Sequence, residues 1–258
     1  MLYLISPAKT LDFDTPAGDL PHTEVQFAQR TAQLAGALRR KSPRQLSRLM
    51  DISDALATLN AQRWQDFSEK FTDLNSKQAV LAFDGDVYAG LQARTLARAD
   101  FDWAQQHLRI LSGLYGVLRP LDRIQPYRLE MGTALAVGKA RNLYQYWGSE
   151  IAQALNRELA ADKTPVVVNL ASQEYFRAVD PRALKARVIE CVFEEWHNGA
   201  WKVISFPAKK ARGLMARYAI QQRIETPRRL EGFAAEGYRF EAAASRPDRL
   251  VFRRKMHE

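Results

Sequence analysis

The sequence is poor in the residues that form disulfide bonds or bind soft metals. It has one cysteine and four histidines among 258 residues. A single cysteine excludes an internal disulfide and suits a reducing compartment. The histidines, His257 among them, do not show metal-ligand spacing. We therefore expect no zinc site, no other dedicated metal site and no bound cofactor.

Long apolar runs are also missing. No stretch approaches the roughly 20 residues that a membrane-spanning helix needs. Residues 1–6 lack the basic leader and the long apolar segment of a secretory signal. These absences predict a cytoplasmic protein without a membrane partner, and no feature of the sequence indicates an obligate protein partner.

Positive charge, in contrast, is abundant and concentrated. The formal net charge is +9, and residues 201–229 contribute eight basic residues against one acid, a net of +7. Such a segment attracts polyanions, because neutralised phosphates release counterions. Residues 208–224 have helical periodicity with an apolar arc, and Gly213 lies on the basic arc, where a backbone or a phosphate could approach closely. The predicted DNA-binding residues are Lys209, Lys210, Arg212, Arg217 and Arg223. An ordinary solvated helix face is the alternative.

Helix and strand patterns interleave along the chain, which predicts one α/β domain (α+β mixed) over residues 1–258. Short apolar runs predict inner strands at residues 2–5, 79–83 and 166–170. Helices are predicted at 25–40, 43–67, 100–111 and 141–161. A hairpin is predicted from strands 187–193 and 201–206, and closing strands at 237–241 and 249–253. Hairpins beside alternating units favour a mixed β-sheet surrounded by helices over a wholly parallel one.

Polar side chains follow all three predicted inner strands, and strand ends are where open sheets form binding clefts. Lys9 could bind a phosphate or act as an amine nucleophile, although an exposed loop lysine is the alternative. Asp84 and Asp86 could bind a cation or act as a base, but Asp-Gly is also common turn chemistry. Ser172 is either a helix N-cap or part of an anion site.

A proline-marked segment at residues 119–132 adds arginines, a tyrosine and an acid to these candidates. The candidate catalytic residues are Lys9, Asp84 and Glu130. The predicted cleft-lining residues are Ser6, Lys9, Tyr88, Arg119, Tyr127 and Arg128.

Residues 43–67 have the spacing of a helix-hairpin-helix element. Leu49, Ile52 and Ala57 occupy its apolar positions, whereas Asp51 and Ser53 stand where that motif has glycines. In such motifs the backbone amides of the hairpin contact DNA phosphates without reading sequence. The negative charge of Asp51 opposes that contact, and an ordinary helix pair is the alternative.

Taken together, six segments resemble the peroxide stress protein YaaA family. They are ISPAKT (5–10), AFDGDVY (82–88), LSGLYGVLRPLD (111–122), PYRLEMG (126–132), NLAS (169–172) and SFPAKKARG (205–213). The resemblance implies a single-domain α/β fold with a helix-hairpin-helix element and a positively charged cleft. It also implies binding to double-stranded and distorted DNA, and a cytoplasmic role that keeps unincorporated iron low under hydrogen peroxide.

Three functional hypotheses follow. The favoured one is a DNA-binding stress protein of low sequence specificity and without demonstrated catalytic activity. The alternative is a glycosylase-like or lyase-like enzyme acting on DNA bases or nucleosides, with Lys9 as nucleophile and strand-end carboxylates as acid or base. In that case Tyr88, Tyr115 or Tyr127 would stack on an extruded base. The third is direct iron binding by Asp84, Asp86 and Glu130.

Overall fold

Twelve strands and ten α-helices are described in the computed structural model, which covers residues 1–255, so His257 lies outside the described residues. The strands are β1 (Leu2–Ile5), β2 (Thr10–Leu11), β3 (Lys77–Gln78), β4 (Phe83–Asp84), β5 (Leu108–Ser112), β6 (Gly116–Leu118), β7 (Arg123–Ile124), β8 (Val166–Leu170), β9 (Arg187–His197), β10 (Ala200–Lys202), β11 (Arg239–Phe240) and β12 (Arg249–Arg254). The helices are α1 (Ala28–Arg39), α2 (Pro43–Met50), α3 (Asp54–Asp66), α4 (Ala79–Ala82), α5 (Asp86–Leu91), α6 (Arg98–His107), α7 (Leu143–Trp147), α8 (Glu150–Glu158), α9 (Gln173–Phe176) and α10 (Ser205–Gln221). Short 3-10 helices occupy Ala93–Thr95, Pro227–Gly232 and Ala242–Ala244.

The main sheet has eight strands in the order β11-β12-β9-β8-β1-β5-β6, with β10 paired to β9. Its centre is parallel, since β1 pairs with both β5 and β8, and β9 pairs with β8 and β12 in the same sense. The pairs β5–β6, β9–β10 and β11–β12 are antiparallel. The predicted α/β domain with a mixed sheet is therefore confirmed.

Two of the three predicted inner strands are confirmed, and the third is wrong. β1 and β8 are buried at the centre of the sheet, but residues 79–83 form the short helix α4 followed by the two-residue strand β4. All four residues of α4 are buried. A short apolar run that is buried on every side has no periodicity to distinguish a strand from a helix.

Strand β5 lies where the sequence predicted the end of a helix. α6 ends at His107, and Leu108–Ser112 continue as a fully buried strand beside β1. Likewise, the predicted helix 141–161 is two helices, α7 and α8. It breaks at Gly148, whose φ of 50° lies in the left-handed region.

The predicted hairpin is confirmed, although its second strand is shorter than expected. β9 and β10 are joined through Asn198 and Gly199, which both have positive φ, as a two-residue turn of this kind requires. The basic helix α10 begins two residues before Pro207 instead of after it. Proline is tolerated there, because backbone amides in the first turn have no partner within the helix.

Helices α5 and α10 pack with their backbones in close contact. A Cβ atom added to Gly213 would lie 1.8 Å from the carbonyl oxygen of Val87, and one added to Gly90 would lie 2.1 Å from that of Lys210. The close approach that Gly213 allows is therefore to the backbone of a neighbouring helix.

Helices α2 and α3 form a tightly connected pair. Ser42 makes a capping box with Gln45 at the start of α2, and Ser53 caps α3. Asp51 ends α2 with a φ of 50°, a left-handed conformation that glycine adopts at least cost. The predicted helix pair is present, and its assignment as a helix-hairpin-helix element stays a prediction. Within residues 1–255, none of the helices combines the length and apolar character needed to cross a membrane.

Candidate functional site

The candidate catalytic residues converge in one cleft of about 450 Å³. Lys9 follows β1, Asp84 ends β4, and Glu130 comes from the loop after β7. The cleft lies at the carboxyl ends of β1 and β8, where a parallel sheet is expected to form a site. Its lining comprises Ser6, Pro7, Ala8, Lys9, Thr10, Asp84, Gly85, Asp86, Val87, Tyr88, Glu130, Ser172, Glu174, Tyr175, Lys209 and Arg212.

A larger cavity, of about 880 Å³, lies beside α1 and does not include any of the candidate residues. Its charged lining residues are Arg40 and Glu69, and most of the others are apolar or amide side chains. Functional sites are recognised by convergent polar groups more than by volume. The cleft at the strand ends is therefore the better candidate.

Hydrogen bonds fix the floor of the cleft. The hydroxyl of Tyr88 donates to the Ser6 carbonyl at 3.1 Å, and the backbone N–H of Ser172 donates to Ser6 Oγ at 2.9 Å. Ser172 Oγ in turn accepts the N–H of Tyr175 and caps α9. The N-cap interpretation of Ser172 is confirmed. Ser6 connects the end of β1 to α5 through Tyr88 and to the start of α9 through Ser172.

Glu130 is held between two cations. Its Oε2 lies 2.9 Å from Lys9 Nζ, and its Oε1 accepts hydrogen bonds from Arg128 Nε at 3.2 Å and Nη2 at 2.9 Å. Burial alone would raise the pKa of the Glu130 carboxyl. The hydrogen bonds from Lys9 and Arg128 outweigh burial, so that the pKa lies below its usual value. Glu130 is thus a carboxylate at neutral pH, and Arg128 reaches the cleft only through it.

Helix α10 adds two further cations. Lys209 Nζ lies 3.9 Å from Asp86, whereas within residues 1–255 the guanidinium of Arg212 makes neither a hydrogen bond nor an ion pair. Burial lowers the pKa of Arg212, and the charge of Glu190 partly offsets that effect. A mostly enclosed guanidinium that faces a cleft without a partner favours an anionic ligand.

The formal charges of the cleft nearly cancel. Three cations line it, together with four acids: Asp84, Asp86, Glu130 and Glu174. The cleft was expected to be positively charged, but the charged side chains that line it are of both signs. Such a surface suits a ligand that offers both an anionic group and hydrogen-bond donors.

The other predicted DNA-binding residues are engaged outside this cleft. Lys210 forms an ion pair with Glu236 at 2.5 Å, and Arg223 with Asp100 at 2.8 Å. Arg217 donates to the carbonyls of Leu91 and Gln92 and to Thr95 Oγ1, and so caps the end of α5. Lys210 and Arg217 on α10, and Arg223 beyond its end at Gln221, therefore contact several neighbouring elements instead of forming one continuous face.

Three of the predicted cleft or stacking residues lie elsewhere. Arg119 Nη2 lies 2.8 Å from the buried Asp122 and donates to the Glu24 carbonyl. Tyr127 is buried, and its hydroxyl lies 2.6 Å from that of Ser112. Tyr115 is fully buried. Both tyrosines are therefore part of the core, and neither ring has a face free to stack on a base.

The residues that sequence reasoning missed are Glu174 and Phe206. Glu174 Oε1 accepts the N–H of Gly132 at 2.9 Å and closes one side of the cleft. Phe206 is exposed beside Lys209 at the start of α10. A bulky aromatic residue followed by proline at the start of a basic helix was the available signal for Phe206.

Comparisons with known proteins agree over the whole chain. The family described as peroxide stress protein YaaA matches residues 1–244. A UPF0246 protein of Paracidovorax citrulli is 64% identical over 256 residues, which cover 99% of each chain. One from a Polaromonas species is 62% identical over 255 residues and 99% of each chain. One from Bordetella petrii is 60% identical over 255 residues, 99% of this chain and 100% of the relative.

Proposed function

Because the chain belongs to the peroxide stress protein YaaA family, we propose that it acts in the response to hydrogen peroxide as a DNA-binding protein. It binds double-stranded and distorted DNA across the mouth of the cleft and the start of α10. Through this binding it helps to limit oxidative DNA damage and unincorporated iron. The observation that carries the proposal is the unpartnered Arg212 guanidinium beside Lys209 and Lys9 in one cleft.

The position of the cations on α10 supports a polyanionic partner. Lys209 and Lys210 are consecutive residues in the second turn of the helix, where they add two positive charges beside the cleft. Both side chains are about half exposed, with acidic partners at Asp86 and Glu236. The phosphates of a bound nucleic acid can neutralise these two lysines in place of the carboxylates.

The size of the cleft limits how DNA binds. A volume of about 450 Å³ is that of a small-molecule site, so that a duplex lies across the mouth and does not enter. Contacts of exposed lysines with phosphates position a duplex without reading bases. We therefore expect low sequence specificity.

The α2–α3 hairpin would be a secondary contact. The backbone amides of Asp51 and Ile52 both donate to the Ser47 carbonyl, which leaves them unavailable for a phosphate. Replacing Asp51 by Asn removes the charge and keeps a residue that tolerates positive φ. If the hairpin docks on DNA, this variant binds modestly more tightly; unchanged affinity would make the hairpin purely architectural.

The main test is the salt dependence of duplex binding. Engagement of about four phosphates gives a log–log slope near −3.6, and each lost contact reduces it by about 0.9. The combined change of Lys209, Lys210 and Arg212 to Ala should flatten the slope and weaken binding to every sequence. A matched variant replaces three exposed lysines away from the cleft: Lys139, Lys163 and Lys185. If both triple variants weaken duplex binding equally, α10 contributes only to the net charge of the protein and does not form a specific contact surface.

A second candidate is the enzyme acting on DNA bases or nucleosides, which the convergence of Lys9, Asp84 and Glu130 favours. Against it, the amine of Lys9 is held by Glu130 and is not presented as a free nucleophile. Lys9→Arg keeps the charge and removes the amine. A borohydride-trapped adduct with the unmodified chain only, on intact or oxidised DNA, would establish the lyase. Retained DNA binding and peroxide protection in Lys9→Arg would support the binding protein.

Direct iron binding has less support. Asp84, Asp86 and Glu130 line the same cleft, but the part of the chain described contains no group of three or more metal-ligating side chains placed to hold an ion. The proposed link to iron is therefore through DNA and not through a site for the metal.

A further inference from the structure

We propose that Phe206 stacks on one unpaired nucleobase of distorted DNA, while the nucleotide that carries this base occupies the mouth of the cleft. This inference rests on the proposed DNA binding and adds the side chain that would distinguish distorted from fully paired DNA.

Phe206 is 70% exposed, the highest value among the exposed aromatic residues of the described chain. Removing apolar surface from water is favourable, so a phenyl ring in solvent contributes little to this fold and is free for a ligand. Its partner should offer a flat apolar face. An unpaired base does so, and stacking on an aromatic ring is independent of base identity.

The backbone at Phe206 is held in place, which fixes where its side chain leaves the helix. It is the second residue of α10, and Pro207 restricts the backbone that follows it. Helix α10 itself is locked against α5 through Gly213 and Gly90. A wedge that unstacks bases needs a supported backbone, because ordering a mobile segment on binding would cost additional conformational entropy.

The surroundings of the ring suit a nucleotide better than an apolar protein surface. Lys209 Nζ lies 5.5 Å from the Phe206 ring centroid and also lines the cleft, 3.9 Å from Asp86. Beyond it stand the unpartnered Arg212 and the carboxylates of the cleft. A phosphate can bind the guanidinium, and the N–H groups on the edge of an unpaired base can donate to the carboxylates.

The cleft volume agrees with one nucleotide. About 450 Å³ falls within the range of small-ligand sites and is too small for paired strands. Extrusion costs least where a base is already unpaired, which would give preference for bulged or mismatched DNA.

The test compares two duplexes of the same sequence, one fully paired and one with a single bulged 2-aminopurine, whose fluorescence reports stacking. We expect the unmodified protein to prefer the bulged duplex and to change its emission. Phe206→Ala should lose about 5- to 150-fold in affinity for the bulged duplex only, the range measured for one stacked base. Phe206→Trp should keep the preference. Leu74→Ala is the control, because Leu74 is 99% exposed and lines a different cavity.

The outcomes distinguish a failure of this inference from a failure of the proposed DNA binding on which it rests. Failure of the unmodified protein to bind either duplex would end the proposed function and this inference together. Equal binding of both duplexes, or an equal loss on both in Phe206→Ala, would overturn the wedge and leave DNA binding in place. Unchanged affinities in Phe206→Ala would assign the exposed ring to a partner other than a base. Thermal unfolding of each variant checks that the fold is intact.

Discussion

Asp12 organises the loop that follows β2. Its carboxylate accepts the N–H of Thr15 at 2.9 Å and lies 2.9 Å from Arg94 Nη2 and 3.4 Å from Lys77 Nζ. Burial alone would raise the pKa of Asp12, but these hydrogen bonds and charges hold it well below the usual value of 3.8.

Asp12→Asn should lower the free energy of unfolding by about 1–2 kcal/mol at pH 7, after allowance for partial exposure. A carboxyl with a depressed pKa stabilises the fold above its unfolded pKa, and this contribution is lost as pH falls through the lower folded value. Urea unfolding should thus show the difference between wild type and variant shrinking below about pH 4. Asp14→Asn, at an exposed neighbour, should have little effect. A stability difference between wild type and Asp12→Asn that stays constant with pH would mean that Asp12 does not act through its charge.

Cys191 is buried in β9, and burial raises the pKa of its thiol to about 12. Peroxide reacts with the thiolate, which is scarce at neutral pH for such a group. We expect Cys191 to stay reduced when the folded protein meets hydrogen peroxide, and Cys191→Ala to protect cells as wild type does. Mass spectrometry after alkylation in urea measures whether Cys191 has stayed reduced. A sulfenic acid formed in the folded state would instead make Cys191 a sensor.

At the scale of elements, the contact between α5 and α10 decides the position of the basic side chains. Glycine to alanine usually stabilises a helix by up to about 1 kcal/mol. At Gly213 the sign should reverse, because the new Cβ would lie 1.8 Å from the Val87 carbonyl oxygen and the helices must separate. We expect Gly213→Ala to destabilise by about 1–3 kcal/mol or more and to weaken DNA binding.

Gly36→Ala is the matched control within α1. A Cβ there meets no atom within 4 Å, so the usual stabilisation should appear. Chemical unfolding of both variants under one condition measures the contrast. A stabilised Gly213→Ala would mean that the two helices are not in the close contact described.

The elements also show what sequence can and cannot provide. β1 and β8 were predictable because they are short apolar runs, each followed by polar residues that end the strand. Their ends placed Lys9 and Ser172 at one edge, and the strand-end rule brought Lys9 and Asp84 together even though residues 79–83 are not a strand. The partners of charged side chains were not predictable. Arg217 and Arg223 fall on the same predicted basic arc as Lys209. Even so, Arg217 contacts the end of α5 and Arg223 contacts Asp100. Such contacts depend on which helix packs against α10, and periodicity along one segment does not contain that information.

At the scale of the whole molecule, the sheet joins strands that are far apart in the chain. β1 lies between β5 and β8, and β12 pairs with β9. The Tyr3 hydroxyl donates to the carbonyl of Ile224 at 2.8 Å, which ties the first strand to the residues that follow α10. Residues from both ends of the chain therefore share one core, and neither half can bury its apolar surface alone.

We therefore expect residues 1–258 to unfold as one cooperative unit. Far-ultraviolet circular dichroism and tryptophan fluorescence should give coincident urea transitions, since Trp64 in the α2–α3 pair and Trp147 beside the sheet are both fully buried in the common core. Limited trypsin digestion should give no two stable halves. An early fluorescence transition that Trp64→Phe abolishes would contradict this, because it would show that the helix pair melts independently. In that case the hairpin would be a separate unit whose contribution to DNA binding could be removed without disturbing the cleft.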